Sequence, residues 1–113
     1  MLLPPVLNTP AASAGQVSLH LALPADLLVF RGHFDEAAVV PGVAQVHWAV
    51  QFACQYLGLA AGAQDLLNLK FIRPMLPGAT PELTLSWDAE RQRLSFRYAD
   101  AAGAYSQASL QWP

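Results

Sequence analysis

The chain has 113 residues, of which 54% are hydrophobic and only 12% charged, with a formal net charge of −2 and one cysteine. That length supports one domain, expected to span residues 1–113, and the apolar excess is more than a monomer of this size buries, so a dimer is expected. The charge leaves no basic patch for nucleic acid, and a lone cysteine leaves no disulfide framework and suits a cytoplasmic location.

Met1 to Pro10 lacks a basic leader, and Pro4, Pro5 and Pro10 interrupt any apolar core, so no secretion signal is expected. From Gln16 to Leu23 the pattern alternates, with Val17, Leu19, Leu21 and Leu23 on one face, which predicts a half-buried strand with His20 on the outer face. Pro24-Ala25-Asp26 turns the chain, and Leu27 to Phe30 leads into Arg31-Gly32-His33.

Gly42 to Leu57 has helical spacing. Val43, Val46, Val50, Cys54 and Leu57 form one apolar face, and Ala49, Phe52, Ala53 and Tyr56 form its neighbour. No charged residue occurs between Ala37 and Gln64, so the helix is expected to lie mostly inside protein. It is bounded by Pro41 and Gly58 and interrupted by Gln45, His47, Gln51 and Gln55, which falls short of the roughly 20 apolar residues a membrane span needs.

Gly58 to Gln64 is a loop of small residues, Leu66 to Arg73 reads as a buried strand, and Met75-Leu76-Pro77-Gly78 reads as a turn. Three strands of period two follow. The first carries Leu83, Leu85 and Trp87 on one face, the second Leu94, Phe96 and Tyr98, and the third Ala104, Ser106, Ala108, Leu110 and Trp112. One strand, a long buried helix and an antiparallel meander make an α+β pattern, a sheet whose apolar face covers a single helix.

The chemistry gathers at the helix start. Pro41 suits a first turn because it has no N–H to leave unpaired, and Gly42 lets a ligand approach the backbone. The free amides and the positive end of the helix dipole suit a carbonyl oxygen or an oxyanion. His33 lies nine residues before Gly42, near enough in chain to fold back over that end.

Three stretches together resemble a known family: Gly32-His33-Phe34, then Val40-Pro41-Gly42-Val43 with its hydrophobic helix, then Lys70-Phe71-Ile72-Arg73-Pro74-Met75-Leu76-Pro77-Gly78. They are similar to the β-hydroxyacyl-(acyl carrier protein) dehydratases of the hot-dog fold. The compact length and the run Gln45-Val46-His47-Trp48-Ala49 look most like the dehydratase-like proteins of aryl polyene and xanthomonadin-type pigment clusters.

The resemblance implies a substrate of 3-hydroxyacyl thioester on acyl carrier protein or CoA. It also implies no metal or organic cofactor beyond the phosphopantetheine arm that enters with the carrier. His33 matches the catalytic histidine, the Gly42 amide matches the group that polarises the thioester carbonyl, and Phe34 and Val43 are expected to contact the substrate. Fourteen residues after the histidine the family places a Glu or Asp supplied by the opposite subunit; here that position is His47.

Dehydration needs a base for the α-proton and an acid for the β-hydroxyl. Imidazole at position 47 can serve as the acid only if it is protonated when substrate is bound; a packed, hydrogen-bonded helix histidine is the plainer account of it. Asp35 and Glu36 are the nearest carboxylates in sequence and stand as accessory candidates, with a solvated loop as the alternative. His33, His47 and Asp35 contain no close pair of the H-x-x-x-H kind, so no metal site is expected. Cys54 reads as a buried small apolar residue with no cation nearby to activate it.

Arg31, Lys70 and Arg73 could meet an acidic carrier. Two alternatives to a dehydratase stay open. One is a hot-dog thioesterase, in which Asp35 or Glu36 would matter. The other is a non-catalytic subunit that binds a carrier or completes a heterodimer.

Overall fold

The computed structural model describes residues 3–30, 38–62 and 64–113. Strand β1 is Gln16–His20, a single 3-10 turn covers Leu28–Phe30, and helix α1 is Gly42–Leu57. Strands β2 (Asp65–Phe71), β3 (Glu82–Asp88), β4 (Arg93–Asp100) and β5 (Gly103–Gln111) follow. They form one five-stranded sheet of order β1-β3-β4-β5-β2. Every pairing in it is antiparallel.

The helix has the bounds its sequence predicts. Pro41 precedes it in an extended conformation, and Gly58, at φ 68°, ends it in the left-handed region that glycine enters at no steric cost. Its inward face, Ala44, Gln45, Trp48, Ala49, Phe52 and Ala53, is buried. Leu19, Leu83, Leu85, Leu94, Phe96 and Tyr98 meet it from the sheet in one core.

The strand alternation holds where the core is. Val17, Leu19, Leu21 and Leu23 are all buried, although β1 ends at His20 and Leu21 only bridges to Val6. His20 is exposed and pairs with Glu82 at 2.8 Å. Tyr105 departs from the expected alternation, because it is buried beside Ser106 on the opposite side of the strand.

Three expectations are corrected. The stretch from Leu66 to Arg73 is not a buried strand: β2 pairs only with β5 at the sheet edge, and most of its residues are exposed. A register shift between Leu67 and Lys70, with Asn68 at φ 52°, bends it there. The helix face of Val43, Val46, Val50, Cys54 and Leu57 is the outer one, half-buried at best, with Val43 at 76% exposure. The sheet can cover only one side of a helix, and it covers the side that carries Trp48 and Phe52. Cys54, on that outer side, is therefore half-buried rather than buried.

Candidate functional site

A cleft of about 360 Å³ opens at the start of α1, lined by Val39, Val40, Pro41, Gly42, Gln45, Phe71, Ile72, Arg73 and Pro74. Two sequence stretches singled out above, the Pro-Gly helix start and the Phe-Ile-Arg-Pro segment, form its two walls. A larger hollow, about 440 Å³, lies over the sheet's outer residues Thr84, Ser86, Ser95, Arg97, Gln107 and Ser109. That hollow is lined mostly by polar side chains and has no helix terminus, whereas the smaller cleft is largely apolar and holds the start of α1, so the helix-start cleft is the better candidate.

The backbone there is arranged for an acceptor. The first helical hydrogen bonds run from Ala44 N and Gln45 N to the Pro41 carbonyl, at 3.0 and 3.2 Å. Gly42 and Val43 come before them, and their N–H groups have no acceptor among the described residues. The first turn itself holds no acidic residue. A carbonyl oxygen in the cleft would meet open amides and the positive end of a sixteen-residue helix.

Gly42 is closely covered by an aromatic side chain. A Cβ at that position would lie 2.2 Å from Phe71 Cζ, so the ring of Phe71 rests directly on the glycine. Phe71 itself is 54% exposed and comes from the bent edge strand. It forms one wall of the cleft and shields Gly42 from the side of β2.

Gln45 is the one buried polar side chain of the helix, at 3% exposure. Its Nε2 donates to the Val40 carbonyl at 3.2 Å, and the Ser106 hydroxyl donates to its Oε1 at 2.6 Å. The Tyr98 hydroxyl donates to the Gln45 backbone carbonyl at 2.7 Å, and burial pushes the Tyr98 phenol well above its ordinary pKa. Through these bonds β4 and β5 hold the Val40-Pro41-Gly42 turn in place. Val40 N adds a bond to the buried Met75 at 2.9 Å.

Arg73, at the far wall, is committed within the chain. It pairs with Asp100, donates to the Gly103 carbonyl at 2.8 Å and stacks 3.8 Å from the centre of the Tyr105 ring. The hydrogen bond to Asp100 raises its pKa. The Tyr105 hydroxyl donates to Asp100 at 2.7 Å, and this bond, together with Arg73, lowers Asp100 to about 2. Burial, then the bond to Asp100, raises Tyr105. With its charge matched by Asp100, Arg73 is a weaker candidate for meeting an acidic carrier than its sequence position suggests; Lys70 is exposed.

Of the predicted site residues, His33, Phe34, Asp35 and Glu36 lie outside the described residues, as does Arg31. Gly42 lines the cleft; Val43 is exposed and does not line it. His47 is exposed on the outer side of α1 with Val43 and Gln51, and it does not line the cleft of its own chain. Trp48 and Phe52 are core residues rather than cleft lining. The sequence reading passed over Gln45 as an interruption of the apolar pattern and Phe71 as part of a strand. The signal for Gln45 was present: an amide on the same helical face as Trp48 and Ala49 must find partners inside the protein.

A family model described as ApeI-like, ApeI dehydratase, matches residues 9–109. The dehydratase heterocomplex ApeI:P from Xenorhabdus doucetiae holds a chain 30% identical to this one, with 97% of each chain covered and a TM-score of 0.88. An uncharacterised protein from Erwinia carotovora subsp. atroseptica is 32% identical, with 97% of this chain and 95% of its own covered and a TM-score of 0.78. A variant of the PpsC dehydratase domain from Mycobacterium tuberculosis shares the fold at 21% identity and a TM-score of 0.67, covering 96% of this chain and 44% of its own. The α+β arrangement is the hot-dog fold that the sequence motifs imply. No curated protein matches the sequence.

Proposed function

The chain belongs to the ApeI-like dehydratase family, and from that premise we propose that it dehydrates 3-hydroxyacyl thioesters carried on acyl carrier protein, in aryl polyene-type or fatty acid biosynthesis. The observation that carries this reading is the helix start itself: Gly42, whose amide has no acceptor among the described residues, lines a largely apolar cleft beside the Phe71 ring. A thioester carbonyl placed there becomes a better electron sink.

The reaction then runs as an elimination. The α-C–H bond breaks, its proton passes to His33, and the electron pair moves onto the carbonyl oxygen held by the Gly42 amide. As the pair returns, the α,β double bond forms, the C–O bond to the β-hydroxyl breaks, and a proton from an acid converts the leaving group to water. His47 is first in line for that acid, with Asp35 and Glu36 as accessories; Phe34 and Val43 contact the acyl group. No metal or organic cofactor takes part, and the phosphopantetheine arm arrives with the carrier, or the thioester is presented on CoA, in the cytoplasm.

His47 is exposed and does not line the cleft of its own chain, which supports a two-chain site. It would act in the cleft of a second subunit. A homodimer meets that need. A heterodimer meets it equally, and the relative from Xenorhabdus doucetiae comes from a heterocomplex. In that second reading this chain contributes one histidine to a site shared with an unlike partner.

The test is single-turnover mass spectrometry with 3-hydroxyacyl carrier protein, comparing wild type with His33→Ala and His47→Ala. Loss of one water that disappears in both variants supports the histidine pair, whereas loss that survives His47→Ala returns the acid to Asp35, Glu36 or solvent. Release of free carrier instead would establish a thioesterase. An inactive wild type that gains activity only with a second chain would establish the heterodimer.

A further inference from the structure

The Gln45 carboxamide is oriented without ambiguity. The Val40 carbonyl can only accept, so the atom 3.2 Å from it is the amide nitrogen, and the Ser106 hydroxyl must then donate to the amide oxygen at 2.6 Å. A carboxamide nitrogen carries two hydrogens. One is used by Val40, and the other has no acceptor among the described residues.

Gln45 lies three residues after Gly42, on the same side of the helix, and both line the cleft. Helical side chains lean toward the N-terminus, which carries this amide over the first turn and toward the Gly42 N–H. Its bond to the Val40 carbonyl, two residues before Gly42, places the nitrogen at that level. Ser106 locks the group from behind, in a position buried on both strand and helix sides. A buried amide fixed by two bonds, lining the same cleft as Gly42 and with one hydrogen that has no acceptor among the described residues, is a preorganised donor.

We propose that the second Nε2–H of Gln45, without an acceptor among the described residues, is a further hydrogen-bond donor to the thioester carbonyl oxygen, acting with the Gly42 amide, with Ser106 as the positioning residue that aims it. This rests on the acyl-thioester reading above. Both donors strengthen as charge moves onto the oxygen during α-proton removal, so Gln45 contributes chiefly to the rate and little to ground-state binding.

The test reads the carbonyl directly, so it does not depend on turnover. The protein, with its second subunit where one is needed, is mixed with a 2-enoyl pantetheine thioester carrying 13C at the carbonyl, and the C=O stretch is followed by infrared difference spectroscopy. The stretch is expected at lower frequency when bound to wild type. In Gln45→Met, an apolar side chain of similar length, it should move back toward the free value, and in Ser106→Ala it should fall between. Removing one such donor should lower kcat by about 10²–10³-fold with KM nearly unchanged. A wild-type frequency retained in Gln45→Met overturns the proposal, whatever happens to kcat. If Gln45→Met does not fold, Ser106→Ala is read by the same rule. A thioester that binds wild type with no shift overturns the proposal while leaving the substrate class standing; a wild type that binds no thioester overturns both.

Discussion

The inner face of α1 and the ground around its start are made of the same kinds of residue and end in opposite conditions. Ala44, Trp48, Ala49, Phe52 and Ala53 are closed off within the chain. Val43 in the first turn of α1, Phe71 and Ile72 in the cleft wall, and Leu76 beyond them are exposed by 76%, 54%, 56% and 47%. The first set packs in one core with buried side chains of β1, β3, β4 and β5; the second lies by the bent edge strand β2. Apolar content therefore divides into a part that holds the chain together and a part left available to substrate or to a second subunit.

The sharpest way to break that comparison is to truncate one aromatic from each set. Trp48→Ala should cost about 3–5 kcal/mol, because it removes a fully buried side chain from a core that cannot close up. Phe71→Ala should cost under about 1 kcal/mol, since its ring is already half in water. Urea unfolding of both variants checks the contrast, and equal losses would mean that the edge strand is as much core as the helix.

Tyr98→Phe comes next. It deletes the donor to the Gln45 carbonyl at a fully buried position, and should cost about 1 kcal/mol in the same assay. The loss stays near that value because a carbonyl within a helix keeps its partner one turn on.

Gly42→Ala probes the contact between the two sets. The added methyl meets the end of the Phe71 ring, yet that ring is half exposed and can swing aside, so the expected cost is about 1 kcal/mol, the low end for overpacking. Adding Phe71→Ala should restore most of it, which a double-mutant cycle measures. Simple additivity would show that the ring does not rest on Gly42 in solution.

The smallest effect is electrostatic. Asp100 is lowered to about 2 in the folded chain by Tyr105 and Arg73, against an ordinary 3.8. A carboxyl whose folded pKa is depressed contributes stability that is full above its unfolded value and lost as pH falls through the folded one. The melting temperature should thus decline between about pH 4 and 2 in wild type, and that part of the decline should be missing in Asp100→Asn.

The elements that carry strong periodicity were legible. Helical spacing with a proline before it and a glycine after it located α1, and period two located β1, β3, β4 and β5, because a buried face imposes its own repeat on the sequence. β2 was misread as buried. Leu66, Leu67, Leu69, Phe71 and Ile72 make an apolar run in which a central strand and an edge strand look alike from sequence. The outer helix stripe was misread for the same reason, since Val43 and Val50 are as apolar as Ala49 and Phe52.

By itself the sequence determined the α+β class, the bounds of the helix, the inward residues of four strands, and a Pro-Gly helix start suited to a carbonyl oxygen. Those properties follow from local geometry and from residues near each other in the chain. The three-dimensional structure alone decided that Phe71 lies on Gly42, that Ser106 and Tyr98 reach across from β5 and β4 to Gln45, and that His47 faces away from its own cleft. Each of these depends on which side of the helix the sheet covers and on how distant strands register, and contacts between residues 29 to 61 positions apart leave no periodic mark in a single sequence.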